Sequence, residues 1–282
     1  MGDYHEISYG LQFYIEYGNS KGLVRIYESK KGTRIDLSQI NEAALLSNIS
    51  NILNVSDDKK GKSGSLASQS NSNDYPSEII GTDESGKGDY FGPLVIAGVY
   101  LDNKLTKQLN SLGVTDSKKL SDKQIEVLAK NIKSICQYSI VTIGNSKYNE
   151  LYKKIKNLNK LLAWGHARAI ENLLEKVDCN FALSDQFGDE KLITNALLQN
   201  GKKITLFQRT KAEEITAVAA ASILARNEYV NKLKQLSNKY DIDFPKGASD
   251  TVLHVAREFV KKHTLSELNQ VAKLHFKTTE QI

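Results

Sequence analysis

The residues GTDESGKGDYFGPLVIAGVY, 81–100 of the chain, join two apolar runs through a glycine-rich turn. Their opening matches the GxxxxGK of a nucleotide-binding P-loop, so a nucleotide-hydrolysing enzyme is the first function to test. Gly88 stands where that loop needs a Ser or Thr for its metal ion, and Asp83 and Glu84 would repel the phosphates. A P-loop also leads into a helix, whereas residues 94–100 have the composition of a strand. The stretch therefore predicts a β-hairpin and makes a P-loop improbable.

Asp83 and Glu84 are candidate ligands for hard divalent cations, which prefer carboxylate oxygens. Neighbouring residues on a regular strand point to opposite faces of the sheet, so the two carboxylates share a site only where the strand twists or ends. The turn at Gly86 provides such an ending. An exposed acidic turn is the simpler alternative, but the apolar pair at 79–80 favours a buried strand.

The overall composition is that of a folded protein. A hydrophobic share of 40% and a charged share of 25% in 282 residues allow a sizeable core, and the length allows two domains. The sequence has no apolar run of the roughly 20 residues that span a bilayer and no signal-peptide pattern, which predicts a cytoplasmic protein with no membrane partner. The net charge of +5 is compatible with a polyanionic partner. Cys136 and Cys179 show no metal-ligand spacing.

A polar segment divides the chain. The residues before it predict a small ββα unit with strands at 11–15, 23–27 and 33–37 and a helix at 41–53. Residues 57–73 are rich in Ser, Asn and Gly and have almost nothing to bury, which is typical of a flexible linker. We therefore predict a small N-terminal α+β domain at 1–56, a linker at 57–76 and a larger domain at 77–282.

The larger domain alternates strands and helices, which predicts an α/β fold with a mixed sheet flanked by helices. The predicted strands are 79–83, 94–101, 138–143, 181–184 and 204–207. The predicted helices are 147–176, 192–199, 217–240, 250–263 and 266–274. Gly165 either interrupts the first of these helices or packs closely against a neighbour.

Residues 81–100 also resemble the signature of the type 2 ribonucleases H, and DYFGP at 89–93 resembles ribonuclease HIII in particular. Six further blocks extend this resemblance in the expected order over nearly all of 79–277, at 116–120, 157–170, 184–187, 211–213, 217–226 and 273–277. The resemblance implies a ribonuclease H-like catalytic domain at 77–282. It also implies that residues 1–56 form a TATA-binding-protein-like domain that binds substrate.

The resemblance implies an endoribonuclease that hydrolyses the RNA strand of RNA/DNA hybrids with two ions of Mg²⁺ or Mn²⁺, leaving 5′-phosphate and 3′-hydroxyl ends. The family's acidic positions fall on Asp83, Glu84, Asp185 and Glu213, of which the first three are the expected metal ligands. In-line hydrolysis of a phosphodiester is served by one cation at the attacking water and one at the leaving oxygen, roughly 4 Å apart. Glu214 stays open as an alternative to Glu213.

Substrate contacts are implied in the same way. Gly86, Lys87 and Gly88 occupy the place of a turn that reads the ribose 2′-hydroxyl, the group that distinguishes RNA from DNA. Ser117 and Lys118 are candidate phosphate contacts, although a Ser-Lys-Lys turn is equally typical of a solvated loop.

The remaining residues receive weaker interpretations. Trp164 and His166 lie among apolar residues of a predicted helix, where packing explains them more often than catalysis does. The segment 273–277 is a weaker candidate for substrate contact, and the chain is expected to be a monomer. Two other functions stay open, a hybrid-binding protein without activity and a DNA exonuclease or resolvase on a similar fold.

Overall fold

The structure is a computed structural model that describes residues 4–7, 10–17, 20–29, 32–36, 75–115, 117–189 and 191–282. The chain divides into two compact units, Met1–Asp74 and Tyr75–Ile282. The helix predicted at 41–53 and residues 57–74 of the predicted linker lie outside the described residues. The proposed linker and domain limits therefore stay predictions.

The described part of the first unit is an antiparallel sheet in the order β1-β2-β3-β4. Its strands are β1 (Tyr4–Ile7), β2 (Gly10–Tyr17), β3 (Ser20–Ser29) and β4 (Gly32–Asp36). The predicted hairpin is confirmed, with Phe13 opposite Val24 in its register. The prediction missed β1, because four residues are too few to show an alternating pattern.

The second unit is built on a mixed sheet of five strands in the order β7-β6-β5-β8-β9, which confirms the predicted α/β fold. The strands are β5 (Ile79–Ser85), β6 (Leu94–Leu101), β7 (Tyr138–Ile143), β8 (Phe181–Asp185) and β9 (Thr205–Arg209). Neighbouring strands among β5, β6 and β7 are antiparallel, whereas β8 and β9 run parallel to β5. All five strands predicted for this unit are present.

Helices flank this sheet. They are α1 (Asn103–Ser111), α2 (Asp122–Ile135), α3 (Asn145–Ile155), α4 (Leu158–Leu174), α5 (Lys191–Ala196), α6 (Thr216–Tyr240) and α7 (Asp250–Lys262). Within the described ranges, none of the helices combines the length and apolar character needed to cross a membrane.

The long helix predicted at 147–176 is divided, but not at Gly165. The break comes at Lys156, which has a left-handed backbone with φ of 50°, and the Asn157 side chain then caps α4. Gly165 instead lies against β6, where an added Cβ atom would come within 2.5 Å of the Ile96 side chain. Close packing is therefore the role of this glycine.

Two further differences between prediction and structure concern helices. The sequence prediction missed α1 and α2, although Ser121 and Gln124 form a reciprocal capping box at the start of α2. The helix predicted at 266–274 was wrong, since only Glu267–Gln270 forms a helical turn. Residues 271–273 instead pair with residues 90–92.

The small residues at the start of α6 let this helix lie directly on β5. A Cβ atom added at Gly81 would come within 2.2 Å of the Ala217 carbonyl carbon and 2.4 Å of the Val218 nitrogen. Both are backbone atoms, so the clash could be relieved only by moving the helix or the strand. Gly81 therefore sets the separation of α6 from the strand that carries Asp83 and Glu84.

We expect Gly81→Ala to lower the free energy of unfolding by about 1–3 kcal/mol, because added volume in a packed core displaces its neighbours. Thermal or urea unfolding of the full chain measures this change. Gly144→Ser is the matched control, since Gly144 has open space around its Cα atom and serine is a good residue at the helix start that it occupies. Equal unfolding midpoints for the two variants would contradict the packing argument.

Candidate active site

The candidate site lies at the fork where β5 and β8 separate. The two strands are paired only as far as Thr82 and Ser184, while β5 stays paired with β6 to its last residue. Asp83, Glu84 and Asp185 follow directly after the last paired residues. The carboxyl ends of parallel strands are common positions for functional sites. The strand predicted to end at Asp83 continues further, so the site opens because β5 loses one neighbour.

Asp83 is held from the α6 side of the sheet. Its carboxylate accepts a hydrogen bond from the Ser222 side chain, and its Oδ1 atom accepts the Glu84 backbone amide at 2.8 Å. Burial raises the pKa of Asp83 to about 8, and the charges of Glu84 and Asp185 act in the same direction against these two hydrogen bonds. A negative charge on Asp83 is therefore unfavourable unless a cation lies nearby.

Glu84 is held from the opposite face, by α4. The Glu84 carboxylate accepts a hydrogen bond at 3.1 Å from Nε2 of His166, which is fully buried. The Nδ1 atom of His166 lies 2.9 Å from the Thr82 hydroxyl, so both ring nitrogens have partners. Burial raises the pKa of Glu84, but His166 and the Lys87 ammonium outweigh it and keep that pKa below its ordinary value. Glu84 is therefore the ionised neighbour of Asp83.

Asp185 lies at the end of β8, the second strand of the fork. Its Oδ1 atom accepts the Ala212 backbone amide at 3.2 Å, which ties the end of β8 to the turn before α6. Burial raises the pKa of Asp185 against this hydrogen bond, and the charges of Glu213 and Glu84 raise it further. Asp83, Glu84 and Asp185 therefore interact electrostatically with one another, as the sequence prediction grouped them.

Glu213 and Glu214 differ in their surroundings. The Glu213 side chain is 21% exposed, pairs with the Lys118 ammonium at 3.3 Å and acts on Asp185 through its charge. The Glu214 side chain is 58% exposed and pairs with Arg209. Glu213 is thus the member of the pair that faces the fork.

The turn after β5 places the Lys87 ammonium at the site. Gly86 is buried with φ of 87°, and an added Cβ atom there would meet the Pro93 carbonyl oxygen at 2.2 Å. Gly88 is exposed and has open space around its Cα atom. The Lys87 ammonium lies 3.4 Å from the Glu84 carboxylate and 5.6 Å from the centre of the Phe187 ring.

Ser117 and Lys118 reach the site in different ways. Ser117 is only 4% exposed, and its hydroxyl lies 2.7 Å from that of Ser222, the residue that contacts Asp83. The Lys118 side chain is exposed next to Glu213. The Ser117 hydroxyl thus faces the interior, and its predicted contact with phosphate stays a prediction.

Comparison with known proteins identifies the family. Residues 80–279 match the family model described as Ribonuclease HII. The ribonuclease HIII of Protochlamydia amoebophila is 49% identical over 203 residues, which cover 72% of this chain and 67% of the relative. This chain belongs to the ribonuclease HII family. A ribonuclease HIII of Chlamydia pneumoniae is 45% identical over 72% of this chain and 69% of the relative.

Solved structures agree with this family. Bst-RNase HIII in complex with Mn²⁺ matches with a TM-score of 0.72 and 27% identity, over 97% of this chain and 88% of that one. Aquifex aeolicus RNase H3 matches with a TM-score of 0.59 and 27% identity, over 97% and 91% of the two chains. The sequence-based expectation of a ribonuclease H enzyme of the HIII type is confirmed.

The side chains at the fork suit a divalent cation in chemistry. Among the described residues, no three His, Cys, Asp or Glu side chains are close enough to form an assembled metal centre. Asp83, Glu84 and Asp185 nevertheless present carboxylate oxygens, the donors that hard divalent ions prefer. The charges of Glu84 and Asp185 also raise the pKa of Asp83, a repulsion that a cation between them would relieve.

Sequence reasoning missed two residues of this candidate site. His166 was assigned to packing, but its Nε2 atom also donates a hydrogen bond to the Glu84 carboxylate. Ser222 lay within the predicted helix at 217–240 and was given no role in the site, but it contacts Asp83. The available signal was the polar character of each side chain inside a buried helical face, where an unbonded polar group is unfavourable.

We expect His166→Phe to lower kcat/KM about 10–100-fold, because it keeps a ring of similar size but removes the hydrogen bond that orients Glu84. Trp164→Phe is the matched control, since this residue is on the same helix and 41% exposed. Steady-state assays of both variants, with circular dichroism to establish folding, make the comparison. Full activity in a folded His166→Phe enzyme would show that the hydrogen bond from His166 is not needed to orient Glu84.

Proposed function

We propose that this protein is an endonuclease that hydrolyses the RNA strand of RNA/DNA hybrids with divalent cations, leaving 5′-phosphate and 3′-hydroxyl ends. The observation that carries the proposal is the convergence of Asp83, Glu84 and Asp185 at the open fork of β5 and β8. Phosphodiester hydrolysis brings more negative charge to this place, and a cation is needed to make that approach favourable.

We assign Asp83, Glu84 and Asp185 as ligands for Mg²⁺ or Mn²⁺, two ions in all, and the related Bst-RNase HIII is described in complex with Mn²⁺. The bound cations would supply activation of the attacking water and charge stabilisation at the leaving 3′ oxygen. His166 and the Ala212 amide keep Glu84 and Asp185 in place. Such supporting contacts are typical of carboxylates that act as ligands.

Glu213 is our candidate for the fourth catalytic carboxylate. It lies at the outer side of the fork, where it is partly exposed and acts on Asp185 through its charge. A carboxylate that reaches both the solvent and the metal ligands is placed to orient a water molecule at the scissile phosphate. The Lys118 ammonium beside it would bind a phosphate group of the substrate.

The turn at Gly86, Lys87 and Gly88 is our candidate for ribose recognition. Gly88 is exposed without a side chain, so a sugar can approach the backbone groups closely. Backbone groups at a 2′-hydroxyl distinguish RNA from DNA without reading the base. The substrate-binding role of residues 1–56, the cytoplasmic location and the monomeric state are further expectations.

Cleavage of a labelled RNA strand annealed to DNA, with Mg²⁺ or Mn²⁺, tests the proposed function. The wild type is expected to cut the RNA strand only with metal and to leave an all-DNA duplex intact, and Asp83→Asn should abolish cutting. Analysis of the product ends tests the predicted 5′-phosphate. Binding of the hybrid without cleavage in either metal would indicate a non-catalytic binding protein. Cleavage of the DNA duplex would indicate another nuclease.

A pair of variants tests the fourth carboxylate. We expect Glu213→Gln to lower kcat by about 100-fold or more, in the range of a lost acid–base group, and Glu214→Gln to leave kcat near the wild-type value. The two substitutions are chemically identical at adjacent positions, so each controls for the other. A larger loss in Glu214→Gln would reverse the assignment.

A further inference from the structure

Lys273 carries a positive charge into the interior, beneath the turn after β5. Its side chain is fully buried, and its ammonium donates to the backbone carbonyls of Asp89 at 2.8 Å, Gly92 at 2.6 Å and Phe91 at 3.4 Å. An ammonium has three N–H donors and here meets three carbonyl acceptors. The charge is therefore fully hydrogen-bonded by one short stretch of backbone.

The backbone around Lys273 binds the same stretch. The Lys273 amide donates to the Tyr90 carbonyl at 2.8 Å, and the Gly92 amide donates to the Val271 carbonyl at 2.9 Å. Residues 271–273 thus pair with residues 90–92 like a short strand. Asn149 fixes this segment from the other side, because its side chain bonds the Ala272 carbonyl and the Leu274 amide.

The stretch that Lys273 binds is continuous with the proposed ribose-reading turn. The Asp89 amide donates to the Gly86 carbonyl at 3.4 Å. Gly86 also lies against the Pro93 carbonyl, at the far end of the same loop. Residues 86–93 therefore form a closed loop whose inward carbonyls converge on a single ammonium.

An uncharged side chain would not serve this loop equally well. Without the ammonium, the Asp89 carbonyl would lose its donor, and the Gly92 and Phe91 carbonyls would keep only the donors of Asn145 and Tyr229. Each hydrogen bond lost by a buried acceptor costs free energy. Burial lowers the pKa of Lys273 to about 7, and the nearby Asp89 carboxylate opposes that effect. Burying a lysine costs free energy, so we attribute its presence to the loop whose carbonyls its ammonium binds.

We propose that Lys273 is a positioning residue for substrate recognition: it holds the carbonyls of Asp89, Phe91 and Gly92 so that Gly86, Lys87 and Gly88 face the ribose. The inference rests on the proposed function, since it assigns the loop a ribonucleotide strand as its ligand. It replaces the weaker interpretation that Lys273 contacts substrate itself, because the side chain is buried.

Lys273→Met tests the proposal, because methionine fills similar volume without donors or charge. Glu171→Gln is the matched control. Glu171 is another buried charge, and its carboxylate accepts the backbone amides of Leu198, Asn200 and Gly201. That loop precedes the amino end of β9, whereas the candidate site lies at the carboxyl ends of β5 and β8. Both variants lose a buried charge that holds a loop, but only one of these loops reaches the site.

Three readouts separate positioning from general stability. We expect Lys273→Met to lower kcat/KM for the hybrid about 10–100-fold, as small misplacements of substrate do. The preference for binding hybrid over a DNA duplex of the same sequence, measured in EDTA, should also fall. Amide hydrogen exchange should accelerate at residues 86–92 more than elsewhere. Glu171→Gln should lower the unfolding temperature while its hybrid preference stays at the wild-type value.

Equal effects of the two variants on hybrid preference, or unchanged exchange at residues 86–92, would overturn the proposal. If Lys273→Met does not fold, Lys273→Gln, which keeps N–H donors without the charge, is compared in the same way. If the wild type cleaves hybrids and the Lys273 variant behaves like the wild type, only this inference is rejected. A wild type that does not cleave would reject the proposed function, while the exchange data would still report on the loop.

Discussion

The mutual repulsion of partly buried carboxylates at the fork of β5 and β8 is the constraint on which the rest of this structure depends. Burial removes part of the surrounding water from Asp83, Glu84 and Asp185, and their charges act on one another. Such charges persist in a folded protein only when hydrogen bonds or cations compensate them. The surrounding elements supply the hydrogen bonds, and the proposed metal ions would supply the rest.

The alternation of side chains along β5 explains how one strand supplies two carboxylates to one site. Gly81 and Asp83 contact α6, whereas Thr82 and Glu84 contact His166 on α4. The two carboxylates are thus held by different helices from opposite faces of the sheet. They interact because pairing with β8 stops before them, which leaves that side of the strand open.

Much of this arrangement was predictable from local sequence. The apolar runs around 79–101 predicted the hairpin, and Asp83 and Glu84 were candidates from their position at the end of a predicted strand. Asp185 and the Glu213–Glu214 pair were assigned through the resemblance to type 2 ribonucleases H. The end of β5 was misplaced, because local sequence does not show that a strand loses one neighbour while it keeps the other. The helical turn at Glu267–Gln270 was extended too far for a similar reason, since residues 271–273 pair with a loop that is distant in sequence.

The contacts of His166, Ser222 and Lys273 were beyond local patterns. Each acts on a residue more than 80 positions away, and a buried polar side chain in a helix or a turn does not reveal which group it bonds. The choice between Glu213 and Glu214 likewise depended on which of them faces Lys118 and which faces Arg209. The roles of such residues can be assigned only once the structure shows which partners they contact.

The most direct test of the central claim is a crystal structure of the full chain soaked in Mn²⁺, with anomalous scattering used to locate the ions. We predict anomalous peaks at coordination distance, about 2 Å, from carboxylate oxygens of Asp83, with Glu84 and Asp185 as further ligands. Peaks only at other places, with these three carboxylates uncoordinated at saturating Mn²⁺, would contradict the account.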